Sequence, residues 1–125
     1  MAGTTSLEGM RVLIVEDEYM IADDLAAALQ KSGGETVGPV STIGQAEELL
    51  RKRPVDAAII DFNLRGEMAA EFIERLAATG LPCLIVSGYG SDALPESVAD
   101  VPRLEKPVSA ASVLRALSSQ LVRAD

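Results

Sequence analysis

Five groups of residues stand directly after apolar runs and could act together. Glu16 and Asp17 follow Val12-Leu13-Ile14-Val15, and Asp61 follows Ala57-Ala58-Ile59-Ile60. Ser87 follows Leu84-Ile85-Val86, and Lys106 comes after a shorter run ending at Glu105. Carboxylates brought close raise one another's pKa unless a positive charge lies among them. An all-oxygen set of this kind suits Mg²⁺ or Mn²⁺, which take one or two carboxylates, a carbonyl and waters. Asn63, two residues past Asp61, offers a backbone carbonyl within reach of the same ion. A divalent ion, a hydroxyl, a lysine and one reactive carboxylate are the parts needed to hold a transferring phosphoryl group. Asp61, facing that charge, could be the nucleophile and form an aspartyl phosphate.

Taken singly, each residue has a simpler explanation. Asp61 could cap a loop, Glu16 and Asp17 could favour a helix N-terminus, Ser87 could serve a turn, and Lys106 could be a solvated charge. The elements that position them decide the matter. The short apolar runs match strands covered on both faces. Arg11 to Val15 predicts a first strand, followed by a helix with Ile21, Leu25, Ala28 and Leu29 on one face and Gly33-Gly34 as its stop. Thr36 to Val40 predicts a weaker strand, placed at an edge by Gly38 and Pro39. Ser41 or Thr42 can cap the second helix, which carries Ile43, Ala46, Leu49 and Leu50 and is closed by Pro54.

After the Asp61 strand, Glu67 to Ala78 predicts a third helix, with Met68, Phe72, Ile73 and Leu76 inward and Gly80 at its end. Pro82 to Val86 is a fourth strand. Ser91 to Asp100 is the weakest helix pattern, with only Leu94 and Val98 at helical spacing and Pro95 confined to its first turn. Val101 to Glu105, carrying Pro102, is an edge strand, and Ser109 caps a last helix with Val113, Leu117 and Leu121 in register. Strands alternating with amphipathic helices imply an α/β fold, (βα)5, with a parallel sheet covered on both sides. Right-handed crossovers make the simplest arrangement a doubly wound sheet of order 2-1-3-4-5. Its switch point lies between strands 1 and 3, which end in Glu16-Asp17 and Asp61.

A chain of 125 residues suits one domain, here residues 10–125, with Met1 to Gly9 read as a flexible tail. A hydrophobic content of 48% argues against disorder, and a net charge of −8 argues against direct contact with nucleic acid. No apolar run approaches a membrane span and no signal peptide opens the chain. The single cysteine, Cys83, reads as a small buried hydrophobe in a reducing, cytoplasmic setting. The absence of histidine excludes His-based triads, His metal ligands and any phosphohistidine carried by this chain.

From about Arg11 to Leu121 the chain resembles the receiver (phosphoacceptor) domain of two-component response regulators, a flavodoxin-like fold. The residues that carry the likeness are Val12 to Glu18, Ile59-Ile60-Asp61-Phe62-Asn63-Leu64, Val86-Ser87-Gly88 and Lys106-Pro107. The resemblance implies that Asp61 is the phosphorylated aspartate and that Glu16 and Asp17 are the acidic pair holding Mg²⁺. It implies that Ser87 is the switch hydroxyl, that Lys106 pairs with the phosphoryl group, and that the bond before Pro107 is cis. The donor would be a sensor histidine kinase or a histidine phosphotransfer protein, docking over Tyr19 and Met20. Output to a downstream protein, or a homodimer contact, would use the face of the fourth helix, fifth strand and fifth helix.

Two positions depart from the family pattern. The first acid is Glu16, where aspartate is commoner, and its longer side chain would reach the metal directly or through water. Arg103 stands three residues before the lysine, where an aromatic usually swings inward, so the hydroxyl–aromatic coupling lacks its partner. The stretch Pro82 to Gly90 is similar to stand-alone receivers, best known from alphaproteobacteria, that carry a Gly-Tyr pair after the hydroxyl. Gly88, Tyr89 and Gly90 are therefore expected to replace the missing switch. Only a few residues follow the last helix, which leaves no room for an output domain within these 125 residues. The alternatives are a receiver fragment of a larger regulator, or a haloacid-dehalogenase-type phosphatase. The latter places its nucleophile after the first strand with a second acid two residues on, whereas here Asp61 follows strand 3 and Asn63 stands in the second place.

Overall fold

The structure, a computed structural model, describes residues 7–64, 69–88 and 94–123. Five strands form one parallel sheet: β1 (Arg11–Val15), β2 (Glu35–Val40), β3 (Ala57–Asp61), β4 (Cys83–Ser87) and β5 (Arg103–Glu105). Among the described residues four α-helices accompany them: α1 (Tyr19–Lys31), α2 (Ile43–Lys52), α3 (Ala69–Ala78) and α4 (Ala110–Arg123). The sheet order is β2-β1-β3-β4-β5, the doubly wound arrangement expected from the sequence.

The central strands β1, β3 and β4 are buried on both faces, and the alternation of side chains divides them between two cores. Leu13, Val15, Ala58, Ile60, Cys83 and Ile85 pack toward α2 and α3, meeting Ala46, Phe72 and Ile73. Val12, Ile14, Ala57, Ile59, Leu84 and Val86 pack toward α1 and α4, meeting Leu25, Leu29, Val113 and Leu117. Thr42 caps α2 by accepting from the Gln45 amide at 3.1 Å, and Ser109 caps α4 by accepting from the Ser112 amide at 3.1 Å. Gly33, at φ +88°, lies beyond the end of α1 and turns the chain toward β2.

Two expectations need correction. The N-terminal segment is not a free tail up to Gly9. Leu7 is fully buried against the α1/α4 core, and the Gly9 amide donates to the Gly33 carbonyl at 2.9 Å. One apolar side chain, Leu7, anchors residues 7–9. Among the described residues, the weak fourth helix is a single 3₁₀ turn, Glu96–Val98. Pro95 precedes it in an extended conformation, and Val98 is its one buried side chain, so no apolar stripe supports a longer helix. Ser91 of that expected helix, and Glu67 and Met68 of the third, lie outside the described residues.

Candidate functional site

The pairing register delivers the chemistry-bearing residues to one edge of the sheet. Val15 is opposite Ile60 in the β1–β3 pair, so Glu16 and Asp61, the next residue of each chain, are neighbours. Asp61 pairs with Val86 and Ser87 with Glu105, which sets Ser87 and Lys106 beside them. The Lys106 amide donates to the Ser87 carbonyl at 2.8 Å and fixes that relation. Alternation assigns Glu16 to the side of Val12 and Ile14, and Asp61 to the side of Ala57 and Ile59. Both therefore point the same way. The Lys106 Nζ lies 3.2 Å from Asp61 Oδ2, 3.3 Å from Glu16 Oε2 and 3.4 Å from Glu18 Oε2. Glu18 was not among the residues singled out from the sequence, since it is exposed and reads as part of the turn into α1.

Glu16 and Asp61 are buried, and the Lys106 side chain is only 12% exposed. Burial pushes the Glu16 carboxyl up to about 8, and the adjoining Asp61 carboxylate adds to the rise. A hydrogen bond from the Glu18 amide at 3.0 Å and the Lys106 ammonium oppose it. Burial works against the charge on Lys106, but Asp61 and Glu16, with Glu18 behind them, outweigh it and raise its pKa. The site thus holds more negative charge than one ammonium neutralises.

Glu16, Asp17 and Asp61 present carboxylate oxygens within 4.8 Å of one another. This all-oxygen donor set fits a small hard cation such as Mg²⁺. Beside them the Ser87 hydroxyl is fully buried and has no hydrogen-bond partner among the described residues. A buried hydroxyl without a partner is costly unless it has a ligand to meet.

Asn63 enters the site in a way its spacing did not suggest. Its amide donates to Asp61 Oδ1 at 2.9 Å, and its side-chain Oδ1 accepts from the Gly88 amide at 2.6 Å. The sequence reading used only its carbonyl, and the signal available was an amide side chain in a turn two residues past the nucleophile. Arg103 opens β5, exposed, beside a cleft of about 260 Å³ that it lines with Leu94, Ala99 and Val101. Tyr89 and Gly90 lie outside the described residues. The Lys106–Pro107 peptide is cis, as is Gly38–Pro39. Tyr19 and Met20, 80% and 77% exposed, stand at the start of α1 next to the acidic edge.

Known proteins share this fold. The family model for the response regulator receiver domain matches residues 12–118. The solution structure of SdrG from Sphingomonas melonis Fr1 is similar at 36% identity and a TM-score of 0.76, over 90% of this chain and 97% of that one. A receiver domain protein (CheY-like) from Methanospirillum hungatei JF-1 shares the fold, at 22% identity and a TM-score of 0.80 over 94% of this chain and 97% of that one. The transcriptional regulatory protein PdtaR of Mycobacterium tuberculosis is 28% identical over 90% of this chain, which spans 57% of that protein's length.

Proposed function

Because the chain belongs to the response regulator receiver family, we propose that it accepts a phosphoryl group onto Asp61 from a phosphohistidine on a partner protein. The observation that carries this reading is the position of Lys106 Nζ, 3.2 Å from Asp61 and 3.3 Å from Glu16 at the carboxyl edge of the sheet. A carboxylate oxygen of Asp61 attacks phosphorus, the P–N bond to the donor imidazole breaks, and its electron pair returns to the ring nitrogen. Lys106 meets the charge on the phosphoryl oxygens, and Ser87 donates its hydroxyl to one of them. When bound, Mg²⁺ supplies Lewis-acid neutralisation of the same oxygens, with Glu16, Asp17, Asp61 and the Asn63 carbonyl as the residues that would hold it. Attack of water on phosphorus later restores the carboxylate. Beyond this self-modification the chain catalyses no reaction of its own.

The donor, a sensor kinase or a histidine phosphotransfer protein, docks over Tyr19 and Met20, large apolar side chains exposed at the start of α1. The phosphorylated state is read in the cytoplasm by a protein partner or a second copy. The reading face is that of the 3₁₀ turn, β5 and α4, where Arg103 replaces the family's aromatic. A stand-alone role is supported by the 97% coverage of SdrG, and a place in a longer regulator by the partial coverage of PdtaR.

Transfer from a phosphorylated histidine phosphotransfer protein tests the chemistry. The wild type should take the group only with Mg²⁺, and Lys106→Ala should slow transfer about a hundredfold. Transfer unaffected by chelation of Mg²⁺ would overturn the reading.

A further inference from the structure

We infer that the side chain of Asn63 is a latch that holds the Gly88 amide away from the phosphoryl site until Asp61 is modified. The inference rests on the acceptor role proposed for Asp61. Asn63 is tied at both ends: its amide donates to Asp61 Oδ1 at 2.9 Å, and its Oδ1 accepts from the Gly88 amide at 2.6 Å. The turn after β3 is thereby joined to the end of β4 by one side chain. Gly88 follows Ser87, whose buried hydroxyl has no partner among the described residues. The Ser87 hydroxyl at the end of β4 and the Gly88 amide that follows it are thus in opposite conditions: among the described residues the first has no partner, and the second is occupied by a neutral amide oxygen.

A phosphoryl group on Asp61 changes both terms. It takes up a carboxylate oxygen of the residue that anchors Asn63, and it adds anionic acceptor oxygens, which attract N–H donors more strongly than a neutral amide oxygen does. The Gly88 amide is then drawn from Asn63 toward the phosphoryl group, and Ser87 moves with it because the two residues are adjacent. Asn63 is a positioning residue in this sense: it sets how much of the phosphoryl binding energy is spent on releasing the β4 end. Glycine at position 88 is part of the device. A Cβ there would lie 3.0 Å from Asn63 Oδ1 and 3.5 Å from its Cγ, so any larger residue presses on the latch.

The test uses beryllofluoride with Mg²⁺ as the phosphoryl mimic, read by ¹H–¹⁵N NMR of the Gly88 amide and by half-saturation. In the wild type the Gly88 proton should move on mimic binding. In Asn63→Ala it should already be displaced upfield without mimic, and half-saturation should fall about threefold to tenfold, the worth of one exposed hydrogen bond removed from the competing state. Asn63→Asp keeps an acceptor and should return the Gly88 proton to the hydrogen-bonded position. Gly88→Ala should destabilise the wild type more than it destabilises Asn63→Ala, since the clash needs both side chains. Unchanged Gly88 shift and unchanged or weaker mimic affinity in Asn63→Ala would overturn the latch. A wild type that takes no mimic would instead sink the acceptor role of Asp61; the Gly88 shift and the Gly88→Ala comparison would still report whether the Asn63 contact exists.

Discussion

Lys106 balances two buried carboxylates and a third at the surface, and the imbalance can be measured. Replacing it with methionine leaves Glu16 and Asp61 buried without a cation. The loss is partly relieved because Glu16 can take up a proton. Lys106→Met is expected to lower stability in EDTA at pH 8 by about 2–3 kcal/mol, with much of that restored by millimolar Mg²⁺; urea unfolding under both conditions checks it. Glu16 gives a pH dependence of definite sign. Its carboxyl titrates near 4.5 when the chain is unfolded and at about 8 in the fold. Between those values the folded state keeps a proton that the unfolded state has released. The stability linked to Glu16 is therefore fully present below about 4.5 and is lost as pH rises toward 8. Metal-free Glu16→Gln should show a flatter profile across that window and exceed the wild type in stability at pH 8. Asp61, Glu16 and Lys106 were legible in the sequence because each closes or follows an apolar run. The Asn63–Gly88 contact was not, because an amide side chain in a polar turn has many partners and its spacing selects none.

At the scale of elements, the strands were legible because runs buried on both faces leave a continuous apolar signature. The caps followed from local chemistry: Thr42 takes the Gln45 amide, whereas Ser41, the other candidate, bonds the Gln45 side chain instead. Thr42→Ala should cost about 1 kcal/mol, seen as a lower urea midpoint at unchanged slope. The first residues and the fourth helix were read less well, for one shared reason. Both depend on one or two apolar side chains, Leu7 in the first case and Leu94 and Val98 in the second, too few to give a period. Leu7 nonetheless fills space between α1 and α4, and Gly34 beside it cannot carry a Cβ without meeting Leu29 Cδ1 at 2.6 Å and the Leu7 carbonyl at 3.2 Å. Leu7→Ala is expected to cost about 2–4 kcal/mol. A cost below 0.5 kcal/mol would show that the segment is the loose tail its composition suggests.

At the scale of the whole molecule, the parallel sheet does the gathering. Residues ninety positions apart, Glu16 and Lys106, meet because β1, β3, β4 and β5 end in register at one edge. The order 2-1-3-4-5 followed from alternation and handedness, so the location of the site was legible once the strands were. Burial at that edge was not, and it is what pushes Glu16 up and leaves the Ser87 hydroxyl without a partner among the described residues. A bound cation offsets both carboxylates, so Mg²⁺ at a hundredfold its dissociation constant should stabilise the fold by about 2.7 kcal/mol. Asp17→Asn should abolish most of that gain in a thermal melt.

The central claim is that Asp61 is the phosphoacceptor, and intact mass after incubation with acetyl phosphate and Mg²⁺ tests it most directly. The wild type should gain the mass of one phosphoryl group, a gain that does not occur when Mg²⁺ is chelated before the incubation and is absent in Asp61→Asn. An equal gain in Asp61→Asn would place the group elsewhere and contradict the account.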